Sequence, residues 1–359
     1  MLESVLDEYG LKKTCEIMPF GNGLINRTWK VTYDGEDNIL QKVNHQIFQS
    51  PQAIADNISL ISHYLQQHFP HYIFPTPIAN RSSDTLTYLR ENGYYRVFPF
   101  VKGSHSIDVV STTKQAYEAA KTFGGFTHLL SHFDVTQLHI TLANFHDLTL
   151  RYQQFEQAIV NGNTARIQQT KDLIQELQAQ QYIAQEYKSI CSSPDFKKRV
   201  THHDTKISNV LFDDDDNSIC VIDLDTVMPG YFISDVGDMM RTYLSPVSEE
   251  EKDFSQIQIR EEYFKAIISG YLHHMHAELT QTEKQYFVYA GKFMIYMQAL
   301  RFLTDYLNND VYYGANYTEH NLVRAQNQTT LLKELCRKEE TLQALVRETL
   351  ESFESPMVM

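Results

Sequence analysis

The chain has 359 residues, 42% of them hydrophobic and 21% charged, which is enough to bury a large core and to divide into two lobes. A formal net charge of −14 argues against a nucleic-acid-binding surface, so any site for a polyanion must be a local arrangement of cations, backbone amides and metal. Four widely spaced cysteines (Cys15, Cys191, Cys220, Cys336) form no CxxC pair, and neither a run of 18 apolar residues nor a signal-peptide pattern occurs, so zinc, disulfides and a membrane partner are not expected and a cytoplasmic chain is.

In chain order, the first hundred residues read as strands. Cys15–Phe20, Thr28–Tyr33 and Asn38–Val43 are separated by Gly21-Asn22-Gly23 and by an Asp34-Gly35 turn. Ser50–Phe69 has helical spacing, with Ile54, Ile58, Ile61 and Leu65 on one face and Pro51 near its start. Two more strands follow, at Asp84–Arg90 and Tyr94–Pro99. From Lys114 onward helices dominate: Lys114–Leu130, a long helix Asn163–Ile190, then Glu250–His276 and Thr282–Asn308. The change of character places a boundary near Phe98–Gly103, giving lobes 1–102 and 103–359.

Two small-lobe features suit a nucleotide. The loop Gly21-Asn22-Gly23-Leu24-Ile25-Asn26 lies between strands, where glycines let backbone N–H groups approach phosphates, although a plain hairpin turn would use the same residues. Lys42 sits on the third strand, either as a phosphate-binding lysine or as a solvated edge residue.

The most informative stretch is Val200–Asp238. His202-x-Asp204 is followed by Asn209 and then by a predicted hairpin, turned at Asp213–Asn217, whose second strand runs into Asp223. A kinase-type site presents its base and its two metal ligands in this order: a carboxylate beside the attacking hydroxyl, then two hard oxygen ligands for Mg²⁺. His202 is expected to hold the loop by hydrogen bonding. The Asp213–Asp216 run lacks the spacing of a calcium loop and reads as a solvated turn. His273, His274 and His276 do not share a helix face, which suits solvated side chains better than ligands.

With HxDxxxxN and Asp223, the segments FGNGLINRTWKV (20–31), LQKVNHQIF (40–48), YRVFPFVKG (95–103), HLLSHFD (128–134), NFHD (144–147) and LRFLTDYLNNDVYY (300–313) resemble the aminoglycoside phosphotransferase and choline kinase superfamily, and within it the N-acetylhexosamine 1-kinases. The resemblance implies an α+β, bilobal protein-kinase-like fold, with a small β-rich N-lobe carrying one helix and a larger, mainly α-helical C-lobe. It implies Asp204 as base, Asn209 and Asp223 as Mg²⁺ ligands and Lys42 as phosphate contact, with the Gly21–Asn26 loop over the phosphates of ATP and the backbone of Pro99, Phe100 and Val101 at the adenine. One departure is that Pro51–Gln67 contains no glutamate to partner Lys42, leaving Asp56 or Asn57 as substitutes. Asp225, two residues past Asp223, alternates to the other side of an extended chain and is a secondary candidate for orienting the loop.

For the acceptor, the resemblance implies an N-acetylhexosamine, phosphorylated at its anomeric hydroxyl to the sugar 1-phosphate; a monomer is expected. Arg301 lies among apolar neighbours on a predicted helix; it either pairs with Asp305 one turn on or points into the cleft at sugar oxygens, with Tyr312 or Tyr313 beside it. Asp204 would also touch the sugar. Other readings are a kinase of an aminoglycoside, choline or homoserine, and an inactive nucleotide-binding pseudokinase, against which the intact Asp204, Asn209 and Asp223 argue.

Overall fold

Alternation of apolar and polar side chains builds the small lobe. In the computed structural model, which describes residues 2–11, 15–21, 25–90 and 92–354, the strands β1 (Glu16–Pro19), β2 (Arg27–Tyr33), β3 (Glu36–Val43), β4 (Thr87–Leu89) and β5 (Gly93–Pro99) form one antiparallel sheet in the order β1-β2-β3-β5-β4. Asp34 and Gly35 both take positive φ (51° and 80°), the two-residue turn that matches the twist of a hairpin. Register aligns Trp29, Leu40 and Val97 in one row across the sheet and Thr28, Gln41 and Arg96 in the next. Neighbouring rows face opposite ways. The first joins Val31 and Tyr95 in an apolar layer under Val5 and Leu6 of the short helix α1 (Leu2–Glu8), which the periodicity reading leaves unassigned. The second faces the large lobe. Helix α2 (Pro51–His68) begins at its proline, whose missing N–H is harmless in a first turn, and buries Ile54, Ile58, Ile61 and Leu65 as the spacing predicts.

The large lobe opens with β6 (His105–Ser106) and α3 (Thr113–Leu129), which starts from a reciprocal cap: the Gln115 N–H donates to Thr112 Oγ1 (3.2 Å) and the Thr112 N–H to Gln115 Oε1 (3.3 Å). Where one helix is expected over Asn163–Ile190, there are three: α5 (Thr164–Gln169), α6 (Lys171–Ala179) and α7 (Tyr182–Ser192), preceded by an unpredicted α4 (Leu148–Asn161). The breaks are supported from outside. Tyr296 and Tyr289 donate their hydroxyls to the carbonyls of Leu177 (2.7 Å) and Ile183 (2.8 Å), satisfying backbone groups near the interruption. After these come β7 (Arg199–Thr201), β8 (Val210–Phe212), β9 (Ser218–Val221), β10 (Met228–Gly230) and α8 (Phe232–Tyr243).

The chain then runs through α9 (Glu261–Met275), α10 (Gln281–Lys284), α11 (Phe287–Leu307), α12 (His320–Arg337) and α13 (Glu339–Glu354). The expected start of the Glu250–His276 helix is displaced to Glu261: only a one-turn helix, Phe254–Gln256, precedes it, and the Arg260 guanidinium ties the start of α9 to the end of α8 by donating to the carbonyls of Tyr243 (2.7 Å), Leu244 (3.3 Å) and Ser245 (3.2 Å). α11 is buried nearly all round and packs against α4, α7, α8 and α12, forming the axis of the lobe. The architecture is bilobal and kinase-like, with a small sheet-based N-lobe and a larger helical C-lobe. Among the described residues, no helix is long and apolar enough to cross a membrane.

Candidate active site

The loop 202–209 is held in place from behind by α8. β7 pairs with β10, and α8 follows β10 immediately, so its first turns lie against the loop. Asp235 accepts the backbone N–H groups of His202 (3.1 Å) and His203 (2.7 Å), and Asp238 accepts that of Thr205 (2.8 Å). Thr205 Oγ1 donates to the Asp235 carbonyl (2.6 Å), and the Tyr243 hydroxyl to the Thr205 carbonyl (2.5 Å). Burial pushes Asp235 up to about 7, even though two N–H donors favour its charged form. His202 is fully buried with Nε2 2.9 Å from the Ile222 carbonyl, the structural role expected of it. His203 takes a left-handed φ of 67°, and burial followed by the neighbouring His202 pushes its imidazole down to about 4. Asp235 and Asp238 were missed by the sequence reading, since nothing local marks a helix carboxylate as a backbone acceptor.

In front of this support the acidic side chains converge. Asp204 Oδ2 accepts from Asn209 Nδ2 (2.9 Å) and pairs with Lys206 Nζ (3.1 Å), and Asn209 Nδ2 also donates to the Asp204 carbonyl (2.8 Å). The Ile222 N–H donates to the Asn209 carbonyl (2.9 Å), which brings the end of the β8–β9 hairpin beside the loop. Asp223 follows with a left-handed φ of 60°. Burial, then Asp225 and Asp204, push its carboxyl up to about 7, with Lys206 and Arg96 opposing. Lys206 is raised: burial lowers it, but Asp204 and Asp223 outweigh that. This lysine was also overlooked; its signal is its place two residues after Asp204.

The donor set fits Mg²⁺. Asn209 spends its amide nitrogen on Asp204, leaving its oxygen as a ligand, and Asp223 is a carboxylate crowded by two others, a position a cation relieves. Among the described residues no three His, Cys, Asp or Glu side chains converge as a self-sufficient metal cage. An ion held by one or two protein oxygens together with substrate phosphates does not require such a cage.

The small lobe meets the acidic cluster through Arg96, not Lys42. Lys42 shares its face of β3 with Leu40, and its ammonium lies 5.6 Å from the ring centre of Tyr95 in the layer under α1. One residue earlier, Gln41 faces the cleft and accepts from Arg96 Nε (3.1 Å) and Nη2 (2.9 Å). Arg96 Nη2 in turn lies 2.5 Å from Asp225 Oδ1, both side chains almost fully buried. Asp225 does not alternate away: a one-turn helix, Leu224–Thr226, returns it to the cleft. Its second oxygen accepts from Asn26 Nδ2 (2.7 Å), at the end of the glycine loop. Gly21 has a φ of 77°, while Asn22 and Gly23 lie outside the described residues. Neither substitute partners Lys42: Asp56 accepts from Gln52 (2.9 Å), and Asn57 donates to the carbonyls of His139 (2.9 Å) and Val227 (3.0 Å). At the connection between lobes, the Phe100 N–H donates to the Asp37 carbonyl (3.2 Å), the Val101 carbonyl accepts from Ser104 Oγ (2.6 Å), and Phe20 meets Phe100 edge-on at 6.1 Å beside Pro99.

Residues 16–271 match the model of the phosphotransferase enzyme family, which covers both the glycine loop and the acidic cluster. The chain belongs to that family. Several solved structures share the fold of this phosphotransferase over almost its whole length. An amicoumacin kinase in complex with AMP-PNP and Ca²⁺ is 14% identical, with 93% of this chain and 92% of that chain covered and a TM-score of 0.65. A microcompartment-associated aminopropanol kinase is 15% identical over 95% and 98% (TM-score 0.65), and choline kinase from Cryptosporidium parvum Iowa II is 16% identical over 97% and 98% (TM-score 0.58).

The phosphotransferase has a cavity of about 560 Å³ between α4, the end of α11 and the segment that follows. Arg301, Tyr312 and Tyr313 line it. Arg301 does not pair with Asp305, which instead accepts the N–H groups of Tyr312 (2.7 Å) and Tyr313 (2.9 Å) and so shapes the cavity wall. The Arg301 guanidinium lies 3.4 Å from the Tyr312 hydroxyl and 5.9 Å from the ring centre of Phe145. Phe145 stacks on His146 at 4.4 Å, and His146 Nδ1 is 3.4 Å from His203 Nδ1, next to Asp204 in the chain. A chain of side-chain contacts thus runs from Arg301 in the cavity wall through Phe145 and His146 to the loop, and the sequence reading offered no role for these two residues.

Proposed function

We propose that this phosphotransferase is an ATP-dependent kinase of a small alcohol, and that the alcohol is the anomeric hydroxyl of an N-acetylhexosamine, yielding the sugar 1-phosphate and ADP. The observation that carries the kinase reading is the convergence of Asp204, Asn209 and Asp223 on one rigidly backed loop and hairpin. Asn209 and Asp223 would hold Mg²⁺, which supplies charge neutralisation at the phosphates. Asp204 aligns the acceptor hydroxyl and takes its proton as the new O–P bond forms and the bridging bond to the β-phosphate breaks. Lys206, 3.1 Å from Asp204, places a positive charge where the transferring group passes. The Gly21–Asn26 loop covers the phosphates and the backbone around Pro99, Phe100 and Val101 receives the adenine. We assign the small-lobe cation of the site to Arg96, in place of Lys42.

The acceptor cavity supports a sugar over an amino-alcohol. Choline and aminopropanol name the acceptors of two fold relatives, and both suggest cationic groups. Here Arg301 and Arg151 line the cavity, and Asp305 is committed to backbone N–H groups. Arginine and tyrosine donors suit ring hydroxyls and an acetamido carbonyl, and the two guanidiniums repel a cation. ADP release measured with Mg²⁺ across N-acetylglucosamine, N-acetylgalactosamine, choline and aminopropanol tests this. Turnover is expected with the acetamido sugars, and Asp204→Asn should lower it by about 10²-fold or more while nucleotide binding survives. Turnover confined to the amino-alcohols overturns the sugar reading, and full activity in Asp204→Asn overturns the assignment of the base.

A further inference from the structure

In a chain of formal net charge −14, the described residues lining the acceptor cavity include two arginines, Arg151 and Arg301, and a single carboxylate, Asp305. Arg151 donates to Gln154 Oε1 (3.0 Å) and the Asn144 carbonyl (2.9 Å); Arg301 lies 3.4 Å from both Gln298 Oε1 and the Tyr312 hydroxyl. Arg151 also donates to the Phe145 carbonyl (3.4 Å); all five acceptors are neutral, and among the described residues neither guanidinium forms an ion pair. The one carboxylate in the wall, Asp305, accepts from Tyr312, Tyr313 and Asn321 Nδ2 (3.1 Å). Both guanidiniums line the same cavity, and burial and then the charge of Arg301 lower the affinity of Arg151 for its proton, with Tyr312, Tyr313 and Asp147 opposing. Arginines held near one another without an anion raise the energy of the empty site, and a planar, doubly accepting oxyanion between them lowers it.

We propose that the cavity is an anion subsite, and that the acceptor carries a carboxylate, sulfate or phosphate at the end remote from the hydroxyl that is phosphorylated. This rests on the acceptor entering beside Asp204, as proposed above, with Phe145 and His146 between the reacting hydroxyl and the arginines. The anionic group then fixes the acceptor's direction in the cleft and turns the sugar's far end into the determinant of specificity.

The test compares N-acetylglucosamine with its 6-sulfate, its 6-phosphate and glucuronate, each measured by calorimetric binding to the ADP-loaded enzyme and by ADP release. At least one acidic sugar is expected to bind about tenfold or more tighter than the neutral one, with an advantage that shrinks when salt is raised. Arg151→Gln and Arg301→Gln should each remove most of that preference, and Arg301→Lys, which keeps the charge, should retain part of it. Which acidic sugar leads identifies the anion. Equal or weaker binding of all the acidic sugars overturns the subsite, while turnover of the neutral sugar would leave the kinase reading standing. Conversely, tight arginine-dependent binding without turnover of any sugar supports the subsite and removes the sugar-kinase reading.

Discussion

A buried carboxylate keeps its proton to higher pH than an exposed one, and Asp235 makes this testable. Burial holds its carboxyl near 7, well above the ordinary value. Between about pH 4 and about pH 7 the folded chain therefore carries a proton there that the unfolded chain has released, so this group's contribution to stability falls as pH rises across that window. Asn at the same position cannot ionise, and it offers one oxygen to the two N–H groups of His202 and His203. Asp235→Asn should be less stable than the wild type at about pH 5, with the gap narrowing by about 2–3 kcal/mol by about pH 7. Urea unfolding of both proteins at the two pH values measures it. A gap independent of pH means that Asp235 stays charged throughout.

At the scale of elements, the alternation along β3 and β5 decides which cation faces the large lobe. Gln41 and Arg96 face the large lobe while Lys42 and Tyr95 face α1, because the register pairs Gln41 with Arg96 and Lys42 with Tyr95. Arg96→Met leaves the buried Asp225 without its cation and should destabilise the protein by about 3–5 kcal/mol. It should also raise the KM for ATP by about tenfold or more, since the arm that ties Asp225 to the sheet is lost. Adding Asp225→Leu should recover much of the stability without restoring the KM. Lys42→Met should change the KM for ATP by less than about twofold. Steady-state kinetics with thermal unfolding of the four proteins separates these outcomes; a large ATP effect in Lys42→Met alone returns the phosphate contact to that residue.

For the whole molecule, the two lobes are joined by a few polar contacts around the cleft. Asn26 and Arg96 reach Asp225, and Asn57 of α2 bridges His139 and Val227. A nucleotide bound between the lobes adds its binding energy to their association: ADP at about a hundred times its Kd stabilises by about 2.7 kcal/mol. With Asn209 and Asp223 as the metal ligands, most of that gain should require Mg²⁺ and vanish in Asp223→Ala. Thermal unfolding with ADP, with and without Mg²⁺, measures the metal-dependent part. An equal shift in EDTA removes these residues from metal binding.

The sequence by itself determined what depends on near neighbours. Period-two alternation and the Asp34-Gly35 turn predict the strands of the sheet, the Ile54–Leu65 spacing predicts α2, and the order Asp204, Asn209, Asp223 predicts a loop and hairpin that the structure does bring together. It could not separate Lys42 from Gln41 as the cleft-facing position, because one residue of register reverses a strand's faces and the register belongs to the pairing of β3 with β5. Nor could it see that Tyr289 and Tyr296 support a broken helix, that Asp235 and Asp238 hold the 202–209 loop from α8, or that Asp305 serves backbone N–H groups and leaves Arg301 to the cavity. Each of these joins groups far apart in the chain or on separate elements. Local spacing constrains which conformation a segment prefers, but which distant groups satisfy its buried polar atoms is decided only when the elements pack.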